Sequence, residues 1–288
     1  MMEQAVKVWH VLEILKVTES AFVGKGIKNP RLNAELLLAD VLKCRRIELY
    51  LDFEKPLTTA ELAAFREHVK RRLKHEPIQY ILGKTEFYGL SFNVSPAVLI
   101  PRQETELLVE EVLKHLKESG GARILDIGTG SGCIAIAVAA NFDCQIDAMD
   151  ISPDALQTAN ENSAQNNTTD KITFLNKDIL TEDIDLGNYD IVISNPPYIP
   201  AEEMETVDDE VKLYEPQTAL TDNADGLVYY RRLIELCQNA GKKPVLFAEL
   251  GDGKAAIVEG LLKEKGITNY RIVEDLIKIP RVLKAEFN

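Results

Sequence analysis

Beyond Gly121, short apolar runs of strand character alternate with helical segments. The strand-like runs are RILDIG, CQIDAMD, KITFLNKD, YDIVISN and PVLFAEL. Helical patterns cover 133–141, 153–165 and about 226–240, the last with Gly241 as its expected carboxyl-terminal cap, and another helix ends near Lys265. Two final runs, near 269–275 and 281–287, are close enough to pair as an antiparallel hairpin. The order predicts an α/β fold with an open, mostly parallel sheet between helices.

The first 83 residues instead predict a small all-α domain. Apolar residues recur there at helical spacing in three runs: Val8, Leu12 and Leu15; 36–38 with Val41 and Leu42; and Leu62, Phe65, Val69 and Leu73. Pro30 suits a first helical turn, and Thr58 with Glu61 forms a capping-box pattern. Residues 84–103 resemble a hairpin connector around Gly89, so we expect domains at 1–83 and 104–288.

Composition and charge narrow the functional classes. Residues 1–85 contain 15 Lys and Arg against 11 Asp and Glu, whereas the remainder contains 18 against 35, within a net charge of −13. A strongly acidic segment is a poor partner for nucleic acid, whose affinity depends on Lys and Arg neutralising phosphates. No apolar run approaches the roughly 20 residues that span a bilayer, and no secretory leader is recognisable. We therefore expect a cytoplasmic protein without membrane contacts, and its four scattered cysteines predict neither a zinc site nor disulfides.

A glycine-rich segment follows the first strand of the predicted sheet. It contains Asp126, Gly128, Thr129, Gly130, Ser131 and Gly132. Glycines at this point allow a tight turn and close approach of a ligand, and the following helix amino terminus favours an anion. Cys133 stands where a dinucleotide fingerprint would have Gly or Ala. A glycine-rich turn without a ligand is the structural alternative.

Two acidic residues end the next two predicted strands. Asp150, followed by Ile151, is placed where a carboxylate can accept hydrogen bonds from both ribose hydroxyls of a nucleoside. Asp178, followed by Ile179, ends the third strand. Either acid could instead cap the segment that follows it.

The sequence Asn195-Pro196-Pro197-Tyr198 follows the fourth strand and carries the sharpest chemical signal. Two consecutive prolines remove two backbone donors and leave carbonyl groups without competing amides. The Asn195 side-chain oxygen and the Pro196 carbonyl could accept both hydrogens of an NH₂ group, while the Tyr198 ring stacks on a planar group. Such a cradle suits an amide or exocyclic amino nitrogen, whose lone pair is delocalised and must be oriented to react. An ordinary loop with a structural aromatic ring is the alternative.

The stretches IPRQETELLVE, RILDIGTGSGCIAIAVA, DIVISNPPYIP and EPQTAL followed by DGL resemble the peptide chain release factor glutamine methyltransferases, the HemK/PrmC family. The resemblance covers about 87–250 and implies a Rossmann-like class I methyltransferase sheet. It implies methyl transfer from S-adenosylmethionine to the glutamine N5 in the Gly-Gly-Gln motif of class I release factors, during translation termination, with S-adenosylhomocysteine as product and without a metal. We expect the helical domain to dock the release factor.

The resemblance also assigns roles to residues. The cofactor would contact the glycine segment, Asp150 and Ile151, and the substrate glutamine would be held by 195–198, with Asn195, Pro196 and Tyr198 as the catalytic set. Asn195 would also border the cofactor, and Asp178 with Ile179 would face the adenine. Arg102 and Glu104 would lie near the cleft, although the sequence alone makes them a surface ion pair worth at most about 1 kcal/mol. Lys254 and Lys278 stand where the family usually has Gln and Gly, which we expect to alter only the terminal hairpin.

Two other functional classes fit parts of the sequence. A DNA or RNA amino-methyltransferase would present adenine N6 or cytosine N4 to the same cradle, but it must extrude a base and hold a phosphate backbone. The one basic run, 70–72 with Lys74, is on a predicted helix end and fits a solvated face or a protein contact. A nucleotide-binding module or a dinucleotide oxidoreductase would share the glycine segment but leaves the residues 195–198 unexplained.

Overall fold

The computed structural model describes residues 7–120 and 122–287. Residues 1–6, Gly121 and Asn288, which belong to the predicted domains, lie outside the described residues. The described chain divides into two compact units between Gly83 and Lys84. Of the described helices, none combines the length and hydrophobicity needed to cross a bilayer.

The first unit is helical. It contains α1 (Val11–Val23), α2 (Pro30–Leu42), α3 (Thr59–Arg72) and α4 (Ile78–Leu82), with a 3-10 turn over Arg46–Tyr50. Phe22, Leu37 and Phe65 are fully buried in its core. The predicted capping box is confirmed, because the Glu61 backbone N–H donates to Thr58 Oγ1 at 3.2 Å and the Thr58 N–H donates to the Glu61 carboxylate at 2.8 Å. Val8 precedes α1 and is exposed, so its assignment to the first helix was wrong.

The second unit opens with a β-hairpin. Strands β1 (Lys84–Phe87) and β2 (Leu90–Asn93) pair antiparallel, with Phe87 opposite Leu90. Both turn residues, Tyr88 and Gly89, have positive φ angles, as a two-residue hairpin turn of matching twist requires.

A seven-stranded sheet forms the centre of the second unit. Its strands are β3 (Arg123–Ile127), β4 (Gln145–Asp150), β5 (Ile172–Asn176), β6 (Ile191–Ser194), β7 (Val245–Glu249), β8 (Tyr270–Glu274) and β9 (Pro280–Glu286). They lie in the order β5-β4-β3-β6-β7-β9-β8. The first five are parallel, and β9 is antiparallel to both β7 and β8. The predicted α/β sheet with a carboxyl-terminal antiparallel hairpin is confirmed.

Helices connect and cover the strands. They are α5 (Glu106–Ser119), α6 (Cys133–Asn141), α7 (Pro153–Gln165), α8 (Asp209–Tyr214), α9 (Val228–Asn239) and α10 (Ala255–Glu264). All four residues of β6 are buried, as expected for a central parallel strand with both faces covered. From β3 the chain runs outward to β4 and β5, then returns to β6 on the other side of β3. The carboxyl ends of β3, β4 and β6 thus surround the crevice where open α/β sheets bind ligands.

Three local predictions were wrong. Ala240, not Gly241, is the carboxyl-terminal cap of α9, and its extended backbone ends the helix without a left-handed residue. Strand β5 ends at Asn176, two residues before Asp178, whose side chain instead caps the turn that begins at Ile179. Helix α8 was not predicted, because it is short and has no buried residue to give an apolar period.

Candidate active site

A cavity opens at the carboxyl ends of β3, β4 and β6. The sequence-selected residues that line it are Arg102, Gly128, Thr129, Gly130, Ser131, Asp150, Ile151, Asp178, Ile179, Asn195, Pro196 and Pro197. The lining does not include four other residues selected from the sequence, Asp126, Gly132, Glu104 and Tyr198. The structure therefore brings most of the predicted residues, from five separate segments, to one cavity.

The glycine segment forms a tight turn between β3 and α6. Gly128, Gly130 and Gly132 all have positive φ angles, which side chains disfavour. The N–H groups of Gly128 and Thr129 both donate to the Met149 carbonyl, at 2.9 and 3.0 Å, so the turn is fixed to β4. Ser131 is buried in the cavity wall and its hydroxyl has no hydrogen-bond partner among the described residues. A buried hydroxyl without a partner is unusual and fits a wall that completes its hydrogen bonds with a ligand.

Asp126 lies behind this turn. Its side chain is fully buried, and one carboxylate oxygen accepts a hydrogen bond from the Thr129 hydroxyl at 2.6 Å while the other has no partner among the described residues. Burial raises the pKa of Asp126 to about 7, against the opposing effect of the Thr129 hydroxyl. The carboxyl group therefore supports the turn from beneath, rather than standing in the cavity wall as a partner for a cation.

The two strand-end acids have different surroundings. Asp150 accepts hydrogen bonds from the N–H groups of Gly130 at 2.8 Å and Ser152 at 2.9 Å, which orient its carboxylate at the cavity. Burial raises the pKa of Asp150, and these backbone donors act in the opposite direction. Asp178 accepts from the Leu180 N–H and the Thr181 hydroxyl, so it caps the following turn as well as lining the cavity.

Asn195 and Pro196 present free acceptors at the cavity. The Asn195 side-chain nitrogen donates to Thr105 Oγ1 at 3.3 Å. Its Oδ1, and the carbonyl oxygen of Pro196, accept no hydrogen bond from residues 7–120 or 122–287. Two acceptors without donors on one stretch of the cavity wall can bind a group with two N–H bonds.

Tyr198 is not among the residues that line the cavity, and its ring packs against Gly251, just after β7. A Cβ atom on Gly251 would be 2.5 Å from Tyr198 Cδ2, so the ring lies flush with the glycine backbone. Burial raises the pKa of Tyr198 to about 12, and the nearby Glu249 carboxyl acts in the same direction. The phenol therefore stays neutral at ordinary pH.

Known proteins resemble both units. Residues 13–83 match the PrmC N-terminal domain, and residues 103–213 match the methyltransferase small domain. A release factor glutamine methyltransferase of Chlorobaculum tepidum is 42% identical over 97% of this chain and 98% of its own. That of Geobacter sulfurreducens is 39% identical, covering 98% of each chain. The chain belongs to the release factor glutamine methyltransferase family.

The sheet is also found in solved methyltransferases. The hMettl16 catalytic domain, in complex with the MAT2A 3′UTR hairpin 6, superimposes with a TM-score of 0.59. The two are 22% identical, and the match covers 75% of this chain and 84% of that one. At this identity the likeness concerns the fold, which is that of a Rossmann-like methyltransferase.

In this release factor glutamine methyltransferase family member, Arg102 does not pair with Glu104. Its guanidinium donates to Glu215 at 2.5 Å, across 113 residues of sequence. Glu215 is 6% exposed and also accepts from the Ile100 N–H at 3.4 Å. Glu104 is exposed. The expected surface pair of Arg102 and Glu104 was wrong, because Arg102 binds the buried Glu215 carboxylate instead. This ion pair fixes the chain beside Pro216, which lines the cavity.

Two other residues at or beside the cavity had no signal of their own that selected them from the sequence. Thr105 is buried, lines the cavity and accepts from Asn195. Glu249 ends β7, is 4% exposed and has one carboxylate oxygen without a hydrogen-bond partner among the described residues. Thr105 lies within the IPRQETE stretch and could have been selected with it. Nothing in the sequence around Glu249 indicates that its strand lies beside β6.

Proposed function

We propose that this enzyme transfers a methyl group from S-adenosylmethionine to the side-chain N5 of the glutamine in the Gly-Gly-Gln motif of class I release factors. The products would be N5-methylglutamine, S-adenosylhomocysteine and the proton that the amide nitrogen loses once its bond to the methyl carbon has formed. The reaction would serve translation termination in the cytoplasm. The observation that carries the proposal is the pair of free acceptors, Asn195 Oδ1 and the Pro196 carbonyl, at the wall of the cavity. The names of near full-length relatives support the choice of glutamine.

The cavity fits S-adenosylmethionine, which supplies an electrophilic methyl group on its sulfonium. The segment 128–132 would hold its methionine part, where the unpartnered Ser131 hydroxyl and the amino terminus of α6 favour a carboxylate. Asp150 would accept from the ribose hydroxyls, since each of its oxygens has a further lone pair. Ile151, Ile179 and Asp178 would border the adenine. Asp126 would act indirectly, by holding Thr129 and the turn.

The acceptor pair would bind and orient the amide. An amide nitrogen is a poor nucleophile because its lone pair is delocalised. Asn195 Oδ1 and the Pro196 carbonyl would each accept one N–H bond, which fixes the plane of the NH₂ group and turns its lone pair towards the methyl donor. Pro197 supports this arrangement because it has no N–H to compete for the neighbouring carbonyls. Tyr198 lies outside the cavity lining, so its part is to hold the bend of the chain rather than to stack on the substrate.

The helical unit would bind the release factor. Its α1 and α3 border an apolar groove, which is lined by Trp9, Ile14, Val17, Thr18, Ala21, Phe65, Arg66, Val69, Lys70, Leu73 and Lys74. The three basic residues of this groove, Arg66, Lys70 and Lys74, favour an acidic segment with apolar side chains. We commit to such a segment of the release factor as the occupant.

The test is incubation of the enzyme with labelled S-adenosylmethionine and a purified class I release factor, followed by mass mapping of the methylated residue. We expect label on the glutamine of the Gly-Gly-Gln motif. The Asn195→Ala variant should bind the cofactor normally but transfer roughly 10²- to 10³-fold more slowly, the scale of one lost oriented polar group. Label on a nucleic acid amino group, on another residue, or undiminished transfer by Asn195→Ala would overturn the proposal.

A further inference from the structure

The side chain of Asn195 is held by a hydrogen bond to Thr105. Thr105 ends a 3-10 turn over Gln103–Thr105 and is 3% exposed. Its Oγ1 accepts a hydrogen bond from Asn195 Nδ2 at 3.3 Å. This contact directs the amide nitrogen inward and leaves Oδ1 as the free acceptor at the cavity.

A buried carboxyl group lies beside these two side chains. Ser194 is opposite Ala248 in the parallel pair of β6 and β7, so Asn195, the first residue after β6, follows on beside Glu249, the last residue of β7. Glu249 Oε2 has no hydrogen-bond partner among the described residues. Burial raises the pKa of Glu249 to about 7, and its neighbours Thr105 and Asn195 act against this rise. In its ionised form the carboxyl group is thus a buried acceptor beside Asn195 and Thr105.

The donor and acceptor groups of these three side chains decide which of them donates each hydrogen bond. A threonine hydroxyl that accepts from Asn195 Nδ2 keeps its own proton to donate, and the adjacent acceptor is the Glu249 carboxyl. An asparagine amide can turn by 180° and exchange its oxygen and nitrogen. In the turned state Nδ2 would face the cavity and repel the N–H bonds of a substrate amide, whereas it would attract a carboxylate. The ionised Glu249 carboxylate opposes this turn, because an amide oxygen facing it would set two acceptors against each other. It also attracts the proton of the Thr105 hydroxyl, which leaves that hydroxyl as an acceptor for Asn195 Nδ2.

We propose that Thr105 and Glu249 are positioning residues that fix the Asn195 amide with Oδ1 towards the cavity, and so select an NH₂-bearing side chain over a carboxylate. The proposal rests on the proposed function, in which Asn195 Oδ1 binds the substrate amide. Both residues act through Asn195: Glu249 is not part of the cavity lining, and Thr105, which is, uses its hydroxyl for the Asn195 side chain. The enzyme would distinguish glutamine from glutamate by an orientation that these two buried groups maintain.

Thr105→Val tests the proposal, because valine keeps the shape and lacks the hydroxyl. We expect kcat for the release factor to fall about 10- to 100-fold, the usual scale for the loss of a supporting hydrogen bond, with cofactor affinity within about threefold of wild type. Thr105→Ser keeps the hydroxyl and should restore kcat to within about threefold. Glu249→Leu should resemble Thr105→Val, and Glu249→Gln, which keeps an acceptor oxygen, should be slowed less.

The decisive comparison uses the Asn195→Ala background. If Thr105 acts only through Asn195, adding Thr105→Val to Asn195→Ala should slow transfer by less than about twofold more. A full additional 10-fold loss in the double variant, or a wild-type kcat in Thr105→Val, would overturn the proposal. Melting temperatures of the single variants, with Thr105→Ser as the folded reference, separate loss of positioning from loss of fold. A wild-type enzyme that methylates no release factor would instead refute the proposed function.

Discussion

Tyr198 fits its position because two neighbouring residues have no side chain. A Cβ on Gly251 would be 2.5 Å from the Tyr198 ring, and a Cβ on Gly226 would be 2.3 Å from the Tyr198 carbonyl oxygen. Gly226 also has a positive φ of 76°. The ring and the backbone of the bend after Pro197 are thus confined from two directions. The two glycines thus hold this bend without lining the cavity themselves.

Gly251→Ala should therefore displace Tyr198. Overpacking of this kind typically costs about 1–3 kcal/mol in the free energy of unfolding, and the displaced bend should reduce kcat. Gly241→Ala is the matched control, because nothing lies within 4 Å of a Cβ at Gly241 and its φ is not positive. Thermal unfolding and steady-state methyl transfer of both variants provide the measurement. Wild-type stability and kcat in Gly251→Ala would contradict the role assigned to this contact.

The buried carboxyl of Asp126 should make stability depend on pH. Burial raises the pKa of Asp126 from 3.8 to about 7, so the native state holds this proton more tightly than the unfolded chain. The contribution of the Asp126 carboxyl group to the free energy of unfolding is then complete below about pH 4 and is lost as the pH rises through about 7.

Asp126→Asn removes this titration and keeps an oxygen for the Thr129 hydroxyl. Relative to wild type, the variant should gain stability between pH 4 and pH 7, by on the order of a few kcal/mol. Denaturant unfolding of both proteins across this range measures the difference. A difference that stays constant with pH would refute the assignment.

At the scale of elements, the turn between β8 and β9 contains a residue in an unfavourable conformation. Lys278 has a φ of 68°, at a position where the family resemblance led us to expect glycine. Its ammonium is 3.7 Å from the Glu274 carboxylate and its side chain is 82% exposed, so this ion pair contributes little. Lys278 therefore lowers the free energy of unfolding through local backbone strain in the terminal hairpin.

Lys278→Gly should stabilise the protein by about 0.5–1 kcal/mol, since glycine adopts positive φ without the penalty of a Cβ. Lys278→Ala is the control: it removes the same charge but keeps the Cβ, so it should bring no gain. Equilibrium unfolding distinguishes the two. Equal stability of the glycine and alanine variants would mean that the turn is not strained at this residue.

At the scale of the whole molecule, the two units differ in charge and in surface. Residues 1–85 are net basic and the remainder is strongly acidic. The apolar groove of the helical unit contains Val17, which is 53% exposed although it is aliphatic. A half-exposed valine beside basic residues fits a surface that another protein covers.

Val17→Asp should weaken binding of the release factor without reducing stability. We expect KM for the whole release factor to rise about 10-fold or more, with kcat on a short Gly-Gly-Gln peptide unchanged, because only the docking segment is repelled. Val23→Asp, on the same helix, 62% exposed and outside the groove, is the matched control. An unchanged KM in Val17→Asp, or equal effects of both variants, would exclude this groove as the docking site.

The sequence by itself determined the succession of strands and helices and the segments that meet at the cavity. Helix α6 and helix α7 begin and end at the predicted residues, because periodicity and caps are local signals. Parallel strands also place their carboxyl ends on one edge of the sheet. For this reason the glycine segment, Asp150 and Asn195 could be selected as site residues from the sequence alone.

Only the tertiary structure decided which side chains pair around that cavity. Arg102 pairs with Glu215, which is 113 residues away in the sequence, and Asn195 donates a hydrogen bond to Thr105, which is 90 residues away. Strand order, which no local pattern fixes, set Glu249 beside Asn195 and Gly251 beneath Tyr198. Hydrogen-bond partners and close packing depend on distances of a few ångströms between residues far apart in sequence, so they appear only when the chain has folded.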